Sequence, residues 1–303
     1  MLLVLRTKKK ASKKMTSFNK KLSAHLKKKL VDFELSSFED AELFLEDKKI
    51  RLLIAGKPLE SWTTIYPRKV GGYGGMAFIL ANLCKNKKIH FIDKFHEKSK
   101  AGSDSAKIIQ MFKFAIGNVP IPKTYYSLAY SEKHLSRAAA FLKFPIVIKQ
   151  CNSSQGSGVF LAKNKTSLAK KITELMREEG GKEIFLQEFI PNTFEYRVFV
   201  TGKKIGAIEK KIRVKKDEFR NNVFLGAREE FLAPVSVKKI ILQTALKASA
   251  VANIQVSGVD IVEKENGEVA VFEANSCPSL TLDENISPEL KSLSNYLEAC
   301  EKR

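Results

Sequence analysis

Residues 256–277, VSGVDIVEKENGEVAVFEANSC, constrain the fold more than any other stretch of this chain. Ser257 to Glu263 and Glu268 to Glu273 alternate apolar and polar residues around Glu265-Asn266-Gly267, and an Asn-Gly turn between such runs predicts a β-hairpin. Asp260 interrupts the apolar run Val259, Ile261, Val262, while Glu273 and Asn275 lie two apart on the second strand and therefore share a face. Two carboxylates and an amide oxygen gathered on adjacent strands are unfavourable to bury without a counter-charge, and a hard divalent cation such as Mg²⁺ removes that penalty. A solvated hairpin face carrying ordinary surface acids accounts for the same pattern.

Upstream, short strands alternate with helices, the pattern of a parallel sheet covered by helices. Strands are expected at Leu2 to Leu5, Val31 to Leu35, Arg51 to Ala55, Thr63 to Tyr66 and Ile89 to Ile92, and helices at Lys14 to Lys29, Phe38 to Glu46 and Gly75 to Lys85. A helix from Asp104 to Ile116 precedes Pro120 and Pro122, where a second unit begins. That unit reads as strand Lys123 to Leu128, helix Glu132 to Leu142, strands Pro145 to Lys149 and Val159 to Ala162, helix Ser167 to Glu178 and strand Ile184 to Ile190. A hairpin (Glu195 to Val200, Lys204 to Lys210) and a helix (Val235 to Val251) lead into the hairpin described first.

Two loops have the composition of anion sites. Lys149 ends an apolar strand beside Asn152-Ser153-Ser154-Gln155-Gly156-Ser157-Gly158, where small residues let backbone N–H groups approach phosphate oxygens. A strand-terminal lysine at the water's edge next to a Gly/Ser turn is the plainer reading. Residues 67–75, PRKVGGYGG, follow a strand and open a helix, which is where open α/β sheets bind ligands, although the segment is neither GxGxxG nor a P-loop.

Charge adds a further constraint. The formal net charge is +20, and residues 1–30 hold eleven Lys or Arg and no acid. Met15, Phe18, Leu22 and Leu26 recur there at helical spacing, so a basic amphipathic helix with its stripe on a sheet is expected, and its outer face would attract anions. No interleaved aromatics of an RNA-binding pattern accompany it, so nucleic acid is the lesser reading. The four scattered cysteines lack zinc or redox spacing and point to a reducing, cytoplasmic compartment. Met1 to Leu5 is too short for a signal-peptide core, and no apolar run nears the ~20 residues of a membrane span.

In order along the chain, these pieces resemble an ATP-grasp ligase, specifically the RimK-type α-L-glutamate ligases. The resemblance rests on Ile65-Tyr66-Pro67-Arg68, Lys107, Lys149 with Gln155-Gly156-Ser157-Gly158-Val159, Gln187-Glu188-Phe189-Ile190 and Glu195-Tyr196-Arg197. It continues through Ile208-Glu209-Lys210-Lys211, Phe219-Arg220-Asn221-Asn222, Gly258-Val259-Asp260 and Glu273-Ala274-Asn275. It implies an α/β and α+β protein: a Rossmann-like pre-ATP-grasp domain (1–103), then an ATP-grasp module of two α+β subdomains (104–190 and 191–303). Lys107, Lys149 and the loop containing Ser154, Gln155, Gly156, Ser157 and Gly158 would hold ATP phosphates. Gln187, Glu188, Phe189 and Ile190 would border adenine, and Glu195 would accept from ribose hydroxyls. Asp260, Glu273 and Asn275 would bind Mg²⁺ or Mn²⁺. Arg197, Lys210 and Arg220, with Asn222, would face the transferred phosphoryl group, although a cross-strand pair with Glu195 or Glu209 is the plainer role for Arg197 and Lys210.

The resemblance also implies the chemistry, an ADP-forming ligation of a carboxylate to an amine through an acylphosphate. None of the four histidines lies in a motif, which suits a site of Lys, Arg and Mg²⁺. The chain departs from the family at Val223-Phe224-Leu225-Gly226 and at Cys277-Pro278-Ser279-Leu280-Thr281, both where the amine would enter. An apolar wall at Phe224 and Leu225 disfavours an acidic group there, so the expected amine partner presents an uncharged or apolar group to it. The rival classes are a nucleotide-binding regulator and an RNA- or ribosome-associated factor, and the oligomeric state has no sequence signal.

Overall fold

The computed structural model describes residues 1–7, 13–46, 49–97, 107–127, 130–151, 153, 158–177, 183–215, 218–221 and 226–302. The first part contains β1 (Leu2–Arg6), α1 (Lys13–Lys28), β2 (Phe33–Ser37), β3 (Ala41–Glu46), β4 (Lys49–Ile54), β5 (Lys57–Pro58), β6 (Thr64–Pro67), α2 (Gly74–Asn86) and β7 (His90–Phe91). A parallel sheet runs β2-β1-β6-β7. Leu2 to Leu5 are all buried because both faces of β1 are covered: Leu2 and Val4 cluster with Phe18, Leu22 and Leu26 of α1, and Leu3 and Leu5 with Ala77, Leu80 and Ala81 of α2.

The helix expected at Phe38 to Glu46 is instead a single 3-10 turn, Phe38–Asp40, followed by β3. Ala41, Leu43 and Leu45 recur with period two, with Phe44 as an exposed exception between Glu42 and Glu46, and β3 pairs antiparallel with β4. The strand expected at Arg51 to Ala55 therefore lies outside the parallel sheet, in a small sheet ordered β3-β4-β5.

Next come α3 (Lys107–Ile116), β8 (Thr124–Tyr125), α4 (Glu132–Leu142), β9 (Ile146–Gln150), β10 (Val159–Ala162), α5 (Lys165–Arg177) and β11 (Ile184–Glu188). Their antiparallel sheet runs β10-β9-β11-β8. Ile146, Ile148, Ile184 and Leu186 meet α4 and α5 through Leu135, Leu142, Leu168 and Ile172. Alternation along the strands then turns Lys149 and Gln187 to the opposite face.

The last part contains β12 (Phe194–Thr201), β13 (Lys204–Ile212), β14 (Arg228–Phe231), α6 (Lys239–Val251), β15 (Val256–Glu263), β16 (Val269–Asn275) and α7 (Glu289–Glu301). The antiparallel sheet order is β14-β13-β12-β15-β16. Val198, Val200, Ile208, Val259, Ile261 and Val271 face α6 and α3. On the other face Phe199, Ala207 and Val256 lie under Leu290, Leu293 and Leu297 of α7, which also meets the apolar stripe of α1. The rest of that face is charged. Gly267 closes the β15–β16 turn at φ +82°, a backbone region costly for residues with a Cβ.

β14 and α7 have no counterpart in the sequence reading. The expected anionic attraction of α1 is reduced, because Lys29, just past α1, pairs with Glu298 of α7 at 2.9 Å and Lys21 pairs with Glu284, in the segment before α7, at 3.6 Å. Among the described residues no helix is long and apolar enough to cross a membrane.

Candidate active site

Cross-strand register builds the charged face. Arg197 on β12 lies between Asp260 on β15 and Glu209 on β13, and Glu195 lies opposite Lys211. The Arg197 guanidinium donates to both Asp260 oxygens at 2.8 Å, and the Lys211 ammonium donates to Glu195 Oε1 at 2.9 Å and Asp260 Oδ1 at 2.8 Å. Burial alone would push the Asp260 carboxyl up, but Arg197 and Lys211 outweigh it and hold the group well below the usual carboxylate range. Burial is also the largest influence on Glu195 and raises it against the pull of Lys211.

Lys210 is not part of this cluster. Period-two alternation turns it to the opposite face, where its ammonium sits 4.2 Å from the centre of the Phe194 ring. Lys211 takes the place expected for Lys210, a correction that follows from β13 running on to Ile212 with Glu195 opposite Lys211. Arg220 is likewise apart, paired with Glu218 through Nε–Oε1 and Nη2–Oε2 contacts of 2.7 Å. Arg197 does form a cross-strand ion pair, but with Asp260 rather than Glu195 or Glu209.

The three expected metal ligands converge. Asn275 Nδ2 lies 2.9 Å from Glu273 Oε1 and 3.5 Å from Asp260 Oδ2. A bulge contributes to this: Asp260 pairs with Glu273 but Ile261 pairs with Val271, so Phe272 is an extra residue in β16. Phe272 then turns with Glu273 toward the charged face and packs against Ile190, Val262 and Ala270. Among the described residues no three His, Cys, Asp or Glu side chains are grouped to hold a metal ion. Two carboxylates and an amide are the donor types of a partial shell for a hard cation, with the Asp260 oxygens already accepting from Arg197 and Lys211 and Asn275 presenting its amide nitrogen, so Glu273 is the carboxylate of the three outside the buried Arg197–Asp260–Lys211 network.

Lys107 and Lys149 reach this face from other elements. Lys107 Nζ is 3.6 Å from Glu273 Oε2, and its backbone N–H donates to Cys151 O at 3.2 Å, which anchors the start of α3 beside the end of β9. Lys149 Nζ lies 5.0 Å from the Phe272 ring centre, and burial lowers its pKa to about 8 against the attraction of Glu273. Gln110, which sequence reasoning missed, fixes α3 to β16: its amide donates to Ala274 O and accepts from Ala274 N, both at 2.8 Å. Only tertiary contact marks it out. Gln110→Ala is expected to lower unfolding free energy by about 1–3 kcal/mol, since it strands both Ala274 groups. Urea denaturation would measure this, and an unchanged midpoint would mean that the tie contributes nothing.

The expected adenine border lies where β11 leaves its sheet. Gln187 is buried and donates to Thr124 Oγ1 at 2.9 Å, while Glu188 accepts from the Lys123 N–H at 3.0 Å and lies 3.5 Å from Lys264. Phe189 packs edge-on against Phe219, and Ile190 joins Phe272. Gly158 has no room for a Cβ, which would meet Ser153 Cβ at 2.4 Å. Ser154, Gln155, Gly156, Ser157 and Asn222, with Val223, Phe224 and Leu225, lie outside the described residues.

The family model described as RimK-like ATP-grasp domain matches residues 102–290. A probable alpha-L-glutamate ligase of Histophilus somni is 31% identical over 163 residues, covering 53% of this chain and 52% of the relative. One of Rhodopirellula baltica is 33% identical over 138 residues, covering 45% of this chain and 32% of the relative. The chain thus matches about half of one curated relative and about a third of the other. Among solved structures, the ATP-grasp ligase PsnB complexed with a phosphomimetic variant of its minimal precursor, Mg and ADP superposes with a TM-score of 0.72 at 12% identity, covering 100% of this chain and 98% of that one. The family match spans all three parts of the site, the lysines at the end of β9 and start of α3, the Arg197–Asp260–Lys211 cluster and the Asp260, Glu273, Asn275 trio, and the chain belongs to the RimK-like ATP-grasp family.

Proposed function

We propose that this protein is an ATP- and Mg²⁺-dependent, ADP-forming carboxylate–amine ligase. The observation that carries the reading is the convergence on one sheet face of an oxygen-donor trio, two lysines from other elements and a buried Arg197–Asp260–Lys211 network. The complex of PsnB with a phosphomimetic variant of its minimal precursor, Mg and ADP supports the same assignment of nucleotide and cation, and Mn²⁺ belongs to the proposal as an alternative ion. The likeness to probable alpha-L-glutamate ligases supports an amino acid such as glutamate as one substrate. The proposed working parts are residues 1–103, 104–190 and 191–303, with the first boundary lying outside the described residues.

In this reading Lys107 and Lys149 bind phosphate oxygens as point charges, and residues 187–190 border the base. Asp260, Glu273 and Asn275 would hold Mg²⁺, which when bound neutralises phosphate charge. Arg197, fixed in orientation by both Asp260 oxygens, presents positive charge where the γ-phosphoryl group moves. A carboxylate oxygen attacks the γ-phosphorus and ADP departs; the amine nitrogen then attacks the acyl carbon, phosphate departs with the C–O electron pair, and the nitrogen gives up a proton. Covalent help from the protein is not needed, because positioning and charge neutralisation supply the catalysis. The test is ADP release screened over pairs of amino acids, acidic peptides and amines, and no release with any pair would overturn the reading.

Lys149→Ala is expected to weaken ATP binding by roughly 1.5–3 kcal/mol, the worth of a hydrogen bond to a charged group. Lys149 binds phosphate only as the ammonium form, and its pKa is lowered to about 8. ATP affinity should therefore hold below that pH and fall as pH rises through it. Calorimetric titration of ATP across the range would measure the effect, and a variant with wild-type affinity would remove Lys149 from the site.

A further inference from the structure

Glu209, on the charged face, enters no ion pair among the described residues. Glu209 lies across from Arg197, yet Arg197 is engaged by Asp260, and Lys211 by Glu195 and Asp260. Glu209 is 3% exposed, and its buried Oε1 atom has no hydrogen-bond partner among the described residues. An unpaired buried acceptor is costly to maintain, so an absent donor is the natural complement.

The surroundings specify that donor as cationic. Glu229 on β14 and Glu289 at the start of α7 act on Glu209 as like charges, and Glu289 is itself only 1% exposed. They are held in place by Thr281, whose hydroxyl donates to Glu229 Oε2 at 3.0 Å and whose N–H donates to Glu289 Oε2 at 2.8 Å. Ser287 Oγ adds a second bond to Glu289 at 3.1 Å. Burial, opposed by Lys211 and Arg197 and reinforced by Glu229 and Glu289, pushes the Glu209 carboxyl up to about 8, so near neutral pH it is an added cation that favours the carboxylate form. In a chain of net charge +20 this is a local excess of acid, and it lies one strand from Arg197 and two strands from Asp260.

We propose that Glu209, with Glu229 and Glu289 behind it, is the subsite that takes the primary ammonium group of the amine substrate. An ammonium offers three donors and one positive charge, matching an acid cluster with an open acceptor. Two strand spacings amount to about 10 Å, so once the ammonium has passed one proton to the Glu209 carboxylate, its nitrogen, lying between Glu209 and a carbonyl held above β12 and β15, is a free amine within reach of attack. The proposal rests on the ligase reading but names a residue and a substrate group that the reading leaves open.

The test compares wild type with Glu209→Gln, which keeps the volume and cannot ionise against a bound ammonium. With the best carboxylate and amine from the screen, KM for the amine should rise about ten- to a hundredfold, the loss of one charged hydrogen bond, while KM for ATP changes little. Hydroxylamine, a small nucleophile that is neutral near pH 7, intercepts an acylphosphate as a hydroxamate, and its reaction should fall far less. Equal losses with both nucleophiles, or an unchanged amine KM, would overturn the proposal. A second arm needs no turnover: ethylammonium chloride should raise the melting temperature of wild type above that in sodium chloride of equal ionic strength, and should not do so for Glu209→Gln. If wild type releases no ADP with any pair, the ligase reading fails, and the melting arm still decides the ammonium site. Equal shifts in both proteins, or none in wild type, would overturn it.

Discussion

Asp260→Ala is expected to lower the unfolding free energy by about 3–5 kcal/mol, the effect of stranding buried charges. Asp260 is 4% exposed and supplies both oxygens to Arg197 and one to Lys211, so its removal leaves the Arg197 guanidinium without its bidentate partner. Lys211 keeps Glu195 and suffers less. The pH dependence has a definite sign. Arg197 and Lys211 hold the folded-state pKa of Asp260 below its unfolded value near 3.9, so this stabilisation is complete above about pH 4 and is lost as pH falls through the folded value. Urea denaturation of wild type and Asp260→Ala at neutral and acid pH measures both effects, and the difference between them should narrow in acid. A destabilisation under about 1 kcal/mol at neutral pH would mean that the network is no more than a surface ion pair.

Glu273→Gln should behave in the opposite way, with stability kept and activity lost. Glu273 has a side-chain exposure of 28%, and its contacts are Lys107 at 3.6 Å and the Asn275 amide at 2.9 Å. Glutamine retains an acceptor for Asn275, so the melting temperature should stay close to wild type. It does not retain the charge that a divalent cation requires, and ADP release at fixed Mg²⁺ should fall by about 10²–10³, comparable to removing one group that stabilises transition-state charge. Raising Mg²⁺ should recover part of the loss. A variant that turns over ATP at the wild-type rate would place the cation elsewhere.

These two residues illustrate what local pattern carries. The hairpin around Asn266-Gly267 and the shared face of Glu273 and Asn275 were legible because turn chemistry and period-two alternation act within a few residues. The same alternation was available for residues 41–46 and yet a helix was expected there, because a short segment with apolar residues three and four apart satisfies both periods and only pairing with β4 decides between them. Lys210 and Lys211 present a similar ambiguity, since adjacent lysines can exchange faces with a one-residue change of register.

Sequence alone determined the strands and helices that carry the lysines, the Asp260, Glu273, Asn275 trio and the family to which the chain belongs, because each is a local run of residues in a set order. Tertiary structure alone decided that Lys211 rather than Lys210 joins Arg197 and Asp260, that a bulge turns Phe272 with Glu273, that Gln110 ties α3 to β16, and that Glu209 lies buried beside Glu229 and Glu289. The physical reason is common to all four. Strand register, bulge position and burial depend on which distant segments pair and pack, and charges that are unremarkable along a chain acquire partners or lose them only when folding removes the water between them.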